Sequence, residues 1–134
     1  MTLAPVATLP LLGMVTPLPG FPEFRDYVLV TADGDGRLFW LQSLDAGGPR
    51  FLVVPPARYF PDYTPVVPPA ALADLGLDDV SDAQVFCLVT VPAEGPAAAT
   101  ANLRAPLVVN PANWRATQVV LSDGRHPIRR PLRR

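Results

Sequence analysis

The chain has 134 residues, 49% of them apolar and 17% charged, with a formal charge of −1. That excludes a disordered body or a uniformly charged polyion, and the length suits one domain with a substantial core. A single cysteine, Cys87, excludes an internal disulfide and a zinc centre built mainly on cysteines.

Proline, at 18 residues, far exceeds its usual share of about 5%. Prolines scattered among short apolar runs argue against long helices and for short strands joined by fixed turns. The charge is unevenly placed. Arg115–Arg134 holds six arginines and one acid, whereas the preceding body holds five arginines and eleven acids. Lysine is absent.

Met1–Pro10 is rich in Ala, Pro and Leu and is expected to be loose. No basic residue precedes Arg25, and Pro5, Pro10 and Pro17 interrupt the apolar run, so it does not read as a signal peptide. No apolar stretch reaches the ~20 residues of a membrane helix, and a cytoplasmic protein is expected.

Strands are predicted at Leu11–Thr16, Tyr27–Thr31, Arg37–Leu44 and Arg50–Val54. Asp33-Gly34-Asp35-Gly36 is a hairpin signal; it lacks the twelfth-position acid and flanking helices of a calcium loop. Asp45-Ala46-Gly47-Gly48-Pro49 supplies a second tight reversal. Pro55-Pro56 cannot donate to a ladder and ends the fourth strand. Tyr63–Val67 is predicted as a further strand. Pro69–Leu75 is the one helix candidate, with Pro early and Gly76 just after it. Leu77–Asp82 reads as an acidic loop.

Ala83–Val91 is the strongest strand, apolar on both faces and so central to the architecture. Ala97–Ala105 stays open between helix and strand. Pro106–Val109, Arg115–Leu121 and His126–Leu132 complete the series. Short strands about ten residues apart predict a mostly β chain with one short helix, a compact antiparallel barrel or sandwich spanning residues 1–134 as a single domain. Val85, Cys87, Leu88, Val89, Leu107, Val109, Val119 and Leu121 are its expected core. Phe39, Trp40 and Phe51, lying inside strands, are assigned to the core as well.

No catalytic set emerges. His126 reads as a surface residue of the last hairpin, without the hydroxyl and carboxylate of a triad in a recognisable context. Asp74, Asp78, Asp79 and Asp82 bunch in a solvated loop, and no phosphate-cradling glycine loop exists. No cofactor and no metal are expected. Phe60-Pro61-Asp62-Tyr63 places two aromatics beside a proline in a loop. There they serve either as interface anchors or as a cap over one end of the barrel.

Three segments, Phe39-Trp40-Leu41-Gln42-Ser43-Leu44-Asp45, Phe51-Leu52-Val53-Val54-Pro55 and Phe60-Pro61-Asp62-Tyr63, occur in an order and spacing that resembles the FliW family of flagellar assembly factors. Further pieces agree: Leu18-Pro19-Gly20-Phe21, Val89-Thr90-Val91-Pro92, Asn102 through Pro111, Gln118 through Leu121, and His126-Pro127-Ile128. The resemblance runs from about Leu12 to Leu132 and implies a compact β barrel. It also implies a non-enzymatic regulator that binds two proteins, flagellin and the RNA-binding repressor CsrA. In that family the factor sequesters CsrA until flagellin engages it. Partner contacts are expected at Phe60, Pro61, Asp62, Tyr63, Asn102, Arg104 and Asn110.

Two rivals accompany this reading. One is an RNA-binding barrel using the Arg-rich end, which has no stacking aromatic beyond Trp114. The other is a small carboxylate-dependent enzyme. No direct nucleic-acid or membrane contact is expected. His126-Pro127-Ile128 should lie against the barrel, with Arg129-Arg130 and Arg133-Arg134 facing solvent.

Overall fold

The structure is a computed structural model that describes residues 11–122 and 124–132. The loose Met1–Pro10 segment and the Arg133-Arg134 pair expected from sequence lie outside the described residues. The elements in chain order are β1 (Leu11–Met14), β2 (Asp26–Thr31), β3 (Phe39–Ser43), β4 (Arg50–Val54), α1 (Pro69–Leu75), β5 (Gln84–Thr90), β6 (Thr100–Ala101), β7 (Leu107–Asn110), β8 (Arg115–Gln118) and β9 (Arg130–Pro131).

Seven strands close a barrel in the order β4-β3-β2-β1-β8-β7-β5, with β5 returning to β4. β6 and β9 extend outward from β5. The expected antiparallel β barrel forms, with one parallel seam. β1 runs parallel to β8, pairing Gly13 with Arg115 and Met14 with Ala116. The reason is geometric: directions cannot alternate all the way around a ring with an odd number of strands.

The two predicted hairpins form. Asp33 Oδ1 accepts from Arg37 N at 3.2 Å and Leu38 N at 3.3 Å, organising the β2–β3 turn. Burial opposes ionisation of this carboxyl. The N–H donors of Leu38, Arg37 and Asp35, aided by the Arg37 guanidinium, nonetheless hold it below the usual carboxylate range. At the β3–β4 turn, a Cβ on Gly48 would overlap Ser43 Oγ, so only glycine fits there.

Alternation in the strands sorts the side chains. Leu12, Met14, Tyr27, Leu29, Leu41, Val53, Phe86, Leu107, Val109 and Ala116 fill the barrel interior, with Phe39, Phe51 and Leu88 packed against them. Burying each large aliphatic side chain contributes roughly 1.5–3 kcal/mol. Trp40 is a correction. Its neighbours Phe39 and Leu41 face inward, so Trp40 faces outward and is half-buried, with the Arg50 guanidinium 4.2 Å from its ring centre. Among the expected core residues Cys87, Leu107, Val109, Val119 and Leu121 are buried, while Val85, Leu88 and Val89 are half-buried.

Two further apolar clusters sit outside the barrel wall. Under α1, Leu75 and Leu77 pack on Val67, Val108, Val119 and Leu121. The helix ends as its sequence predicts: Gly76 adopts φ +76°, and Leu77 N donates to Leu72 O at 2.8 Å. The third cluster, Val54, Phe60, Cys87, Ala101 and Leu103, lies on the opposite face of β5 from the barrel interior.

Other predicted elements are corrected. Tyr63–Val67 forms no strand; Pro65 removes a ladder donor within it, and Pro61 and Pro68 flank it on either side. The open Ala97–Ala105 segment resolves into a 3₁₀ turn, Pro96–Ala98, followed by β6. The acidic Leu77–Asp82 loop contains a second 3₁₀ turn, Val80–Asp82, capped by Asp79 Oδ1 accepting from Ser81 N at 2.9 Å. Arg115–Leu121 stops as a strand at Gln118, although Val119 N and Leu121 N still donate to Pro106 O and Arg104 O. Of His126–Leu132, only Arg130–Pro131 pairs, against Thr100–Ala101.

Candidate functional site

Pro55-Pro56 ends β4 and opens a 3₁₀ turn, Pro56–Arg58. Tyr59 N and Phe60 N then both donate to Pro56 O, at 3.0 and 2.7 Å. Tyr63 N donates to Phe60 O at 2.9 Å, closing a tight turn with Pro61-Asp62 at its tip. This geometry drives Phe60 inward and leaves Pro61 and Asp62 exposed. Phe60 is 7% exposed and belongs to the third cluster, with Arg130 above its ring at 5.1 Å. Tyr63 is half-buried, and its hydroxyl donates to Leu103 O at 2.6 Å.

Asn102 and Arg104 meet this loop from the far side. Asn102 Oδ1 accepts from Arg104 N at 3.0 Å and Ala105 N at 3.2 Å, fixing the bend after β6. Arg104 Nε donates to His126 O at 3.0 Å. Leu103 N donates to Pro127 O at 3.0 Å, so the His126-Pro127 segment lies against the barrel. Ile128 remains 52% exposed. His126 itself is corrected from a surface residue of a hairpin. It is half-buried and stacks edge-on against Tyr63, ring centres 5.0 Å apart.

Phe60, Tyr63, Asn102 and Arg104 thus converge around one cluster, with Pro61 and Asp62 at its rim. Asn110 does not join them. It is 4% exposed, and its Nδ2 donates to Leu75 O at 2.7 Å, beside Asn113 Nδ2 at 3.0 Å on the same carbonyl. Asn110 therefore fastens the end of α1. Arg129 and Arg130 are exposed as expected, with Arg130 resting on Phe60.

Cys87 forms the floor of the cluster. Burial pushes its thiol up to about 12, against a smaller opposing hydrogen bond from Tyr63. At neutral pH it is a protonated, inert hydrophobe. Among the described residues no group of three or more His, Cys, Asp or Glu is placed to hold a metal ion. No described helix is long and apolar enough to cross a membrane. Sequence reasoning missed the parts contributed by Leu103 and His126. The only signal for either was position within the resembling segments, because their contacts are made across distant strands.

The fold and its flank define a small closed β barrel with an outer apolar cluster capped by an aromatic loop. Comparison with known proteins is specific. The family model described as FliW protein matches residues 4–132. The flagellar assembly factor FliW of Syntrophus aciditrophicus is 40% identical over 110 residues, covering 82% of this chain and 69% of that protein. That of Leptospira biflexa is 34% identical over 115 residues, covering 86% and 75%. A crystal structure of the flagellar assembly factor FliW superposes with a TM-score of 0.82 at 27% identity, covering 91% of this chain and 84% of that one. The chain belongs to the FliW family of flagellar assembly factors.

Proposed function

We propose that this chain is a non-enzymatic, cytoplasmic regulator that binds flagellin and CsrA in exchange for one another. In this reading it relieves CsrA repression of flagellin translation while flagellin is scarce as a competitor, and releases CsrA when flagellin engages it. The exchange requires only that the two partners bind with unfavourable coupling. The observation that carries the reading is family membership over nearly the whole chain. The contact surface is the Phe60–Tyr63 loop with Asn102 and Arg104. Pro61 and Asp62 supply the exposed tip; Phe60, Tyr63 and Asn102 hold it, and Asn110 acts at a distance by anchoring α1. The acidic body also favours approach of a basic, RNA-binding partner.

The test is a competition. The preformed complex with CsrA is titrated with flagellin and followed by size-exclusion chromatography. CsrA should leave the complex as flagellin enters. Simultaneous, independent binding of both, or binding of neither by folded protein, overturns the proposal.

A further inference from the structure

Residues 126–132 cross the outer cluster as a strap. β9 pairs with β6 on the side away from β5, Ala101 with Arg130 and Thr100 with Pro131. Leu132 N donates to Ala99 O at 3.1 Å. Hydrogen-bonded and non-hydrogen-bonded pairs alternate along an antiparallel ladder, so Thr100 and Pro131 form a non-hydrogen-bonded pair. Proline is tolerated there because the N–H it lacks would have faced away from β6. Side chains complete the seat. The Arg130 guanidinium lies 5.1 Å from the Phe60 ring centre. Leu132 is half-buried and lines a hollow of about 270 Å³ with Leu38, Leu52, Tyr59 and Val89. Ile128, Arg129 and Pro131 are exposed.

The strap engages the residues assigned above to partner contact. Arg104 Nε donates to His126 O at 3.0 Å, and Leu103 N, next to Asn102, donates to Pro127 O at 3.0 Å. The Phe60 ring carries Arg130. A partner that uses these same groups has to take them from the strap. The ladder holding the strap is two residues long, and both its β9 residues are exposed. Such an element opens locally at lower cost than a barrel strand paired on both sides. Once open, it leaves β6 paired only with β5, beside an apolar hollow, which is a template for another main chain.

We propose that the strap is an internal inhibitor of the partner surface and that a partner protein binds by strand exchange. An extended segment of the partner replaces Arg130 and Leu132 on β6, with a basic side chain over Phe60 and an aliphatic one, two residues on, in the hollow. The present occupant defines that chemistry. The proposal rests on the reading of the chain as a protein-binding factor. It also names a two-state element for the exchange: a partner that needs the strap open and one that needs it seated exclude each other.

The test uses the full chain and two variants. Thr100→Cys with Pro131→Cys bridges the strap to β6 when oxidised and frees it when reduced; the close approach of a non-hydrogen-bonded pair suits a disulfide. Cys87 is buried and stays out of that exchange. Leu132→Glu instead withdraws the apolar anchor. The probe is acetylated, amidated Ile-Arg-Arg-Pro-Leu, the strap's own sequence, titrated into isotope-labelled protein and followed by amide NMR. A tethered strap competes at an effective concentration of about millimolar, so the peptide should bind Leu132→Glu about tenfold more tightly than the wild type. It should shift the Ala101 and Leu103 amides and should not bind the oxidised form. Ile-Arg-Arg-Pro-Asp should bind none of them. Equal binding to the oxidised and reduced forms, binding to no form, or shifts confined to sites away from β6 overturns the proposal. Flagellin and CsrA are measured alongside, and at least one should bind the oxidised form about tenfold more weakly than the reduced form. If they bind but neither distinguishes the oxidised from the reduced form, the strap does not gate the partner surface; the proposal fails and the protein-binding reading stands. If the peptide behaves as expected but neither protein binds any form, that reading fails instead.

Discussion

The barrel interior and the outer cluster beneath the aromatic loop share β4 and β5 as a wall, yet they are built differently. The interior is enclosed by seven strands, and Leu12, Tyr27, Leu41, Val53 and Leu107 are fully buried there. The outer cluster is closed on one side by strands and on the other by a turn, a two-residue strand and a few side-chain contacts. A region closed that way can open locally at lower cost than global unfolding. The contrast locates stability in the barrel and adaptability on its flank, where the proposed partner contacts lie.

The largest expected effect is in the interior. Leu107→Ala should cost about 2–5 kcal/mol in urea unfolding, with amides throughout the barrel losing protection together. Phe60→Ala removes a larger side chain but should cost less, about 2 kcal/mol, because its lid can settle into the space. Its loss of amide protection should be confined to Ala99–Leu103 and the loop. Equal and global effects from both would erase the distinction between the regions.

Alkaline pH probes the shared wall. The folded Cys87 thiol ionises only near 12, whereas an unfolded cysteine ionises near its ordinary value. Its contribution is present at neutral pH and is lost as pH rises from about 9 toward 12, by about 1.4 kcal/mol per pH unit. Cys87→Ala should flatten that decline, and an unchanged slope would place the thiol in contact with solvent.

Tyr27 sharpens the picture of the interior. Its hydroxyl is buried with no hydrogen-bond partner among the described residues. Burial, and then the charge of Asp45, raises its pKa. Tyr27→Phe should therefore stabilise the protein by about 1 kcal/mol by calorimetry, since it removes an unsatisfied group and keeps the packing. A destabilised variant would mean that the hydroxyl is bonded. The smallest effect belongs to the flank: Arg130→Ala removes one exposed cation–π contact and should cost only about 0.5–1 kcal/mol.

Much of the fold could be read from local signals. Gly and Pro marked the hairpins and the end of α1, and the doubly apolar Ala83–Val91 run marked β5, whose two faces serve two different clusters. What escaped was non-local. The inward phase of β3, which turns Trp40 out, depends on its register with β2 and β4. The parallel seam follows from the number of strands in the ring. The prolines that end β4 were visible, but not that the chain turns there into the Pro56–Arg58 3₁₀ turn while β5 runs on to Gln84 paired with β7. The aromatic loop was visible as a unit, whereas the burial of Phe60 required Val54, Cys87, and Ala101 with Leu103 to be brought together from three separate segments.

The most direct test of the account is a hydrogen-exchange footprint of the full chain with and without flagellin. Protection should appear in Pro61–Thr64 and Asn102–Arg104, while amides lining the barrel interior on β1, β2 and β3 stay unchanged. A footprint confined to β1–β3 or α1, with the aromatic loop unaffected, would contradict it.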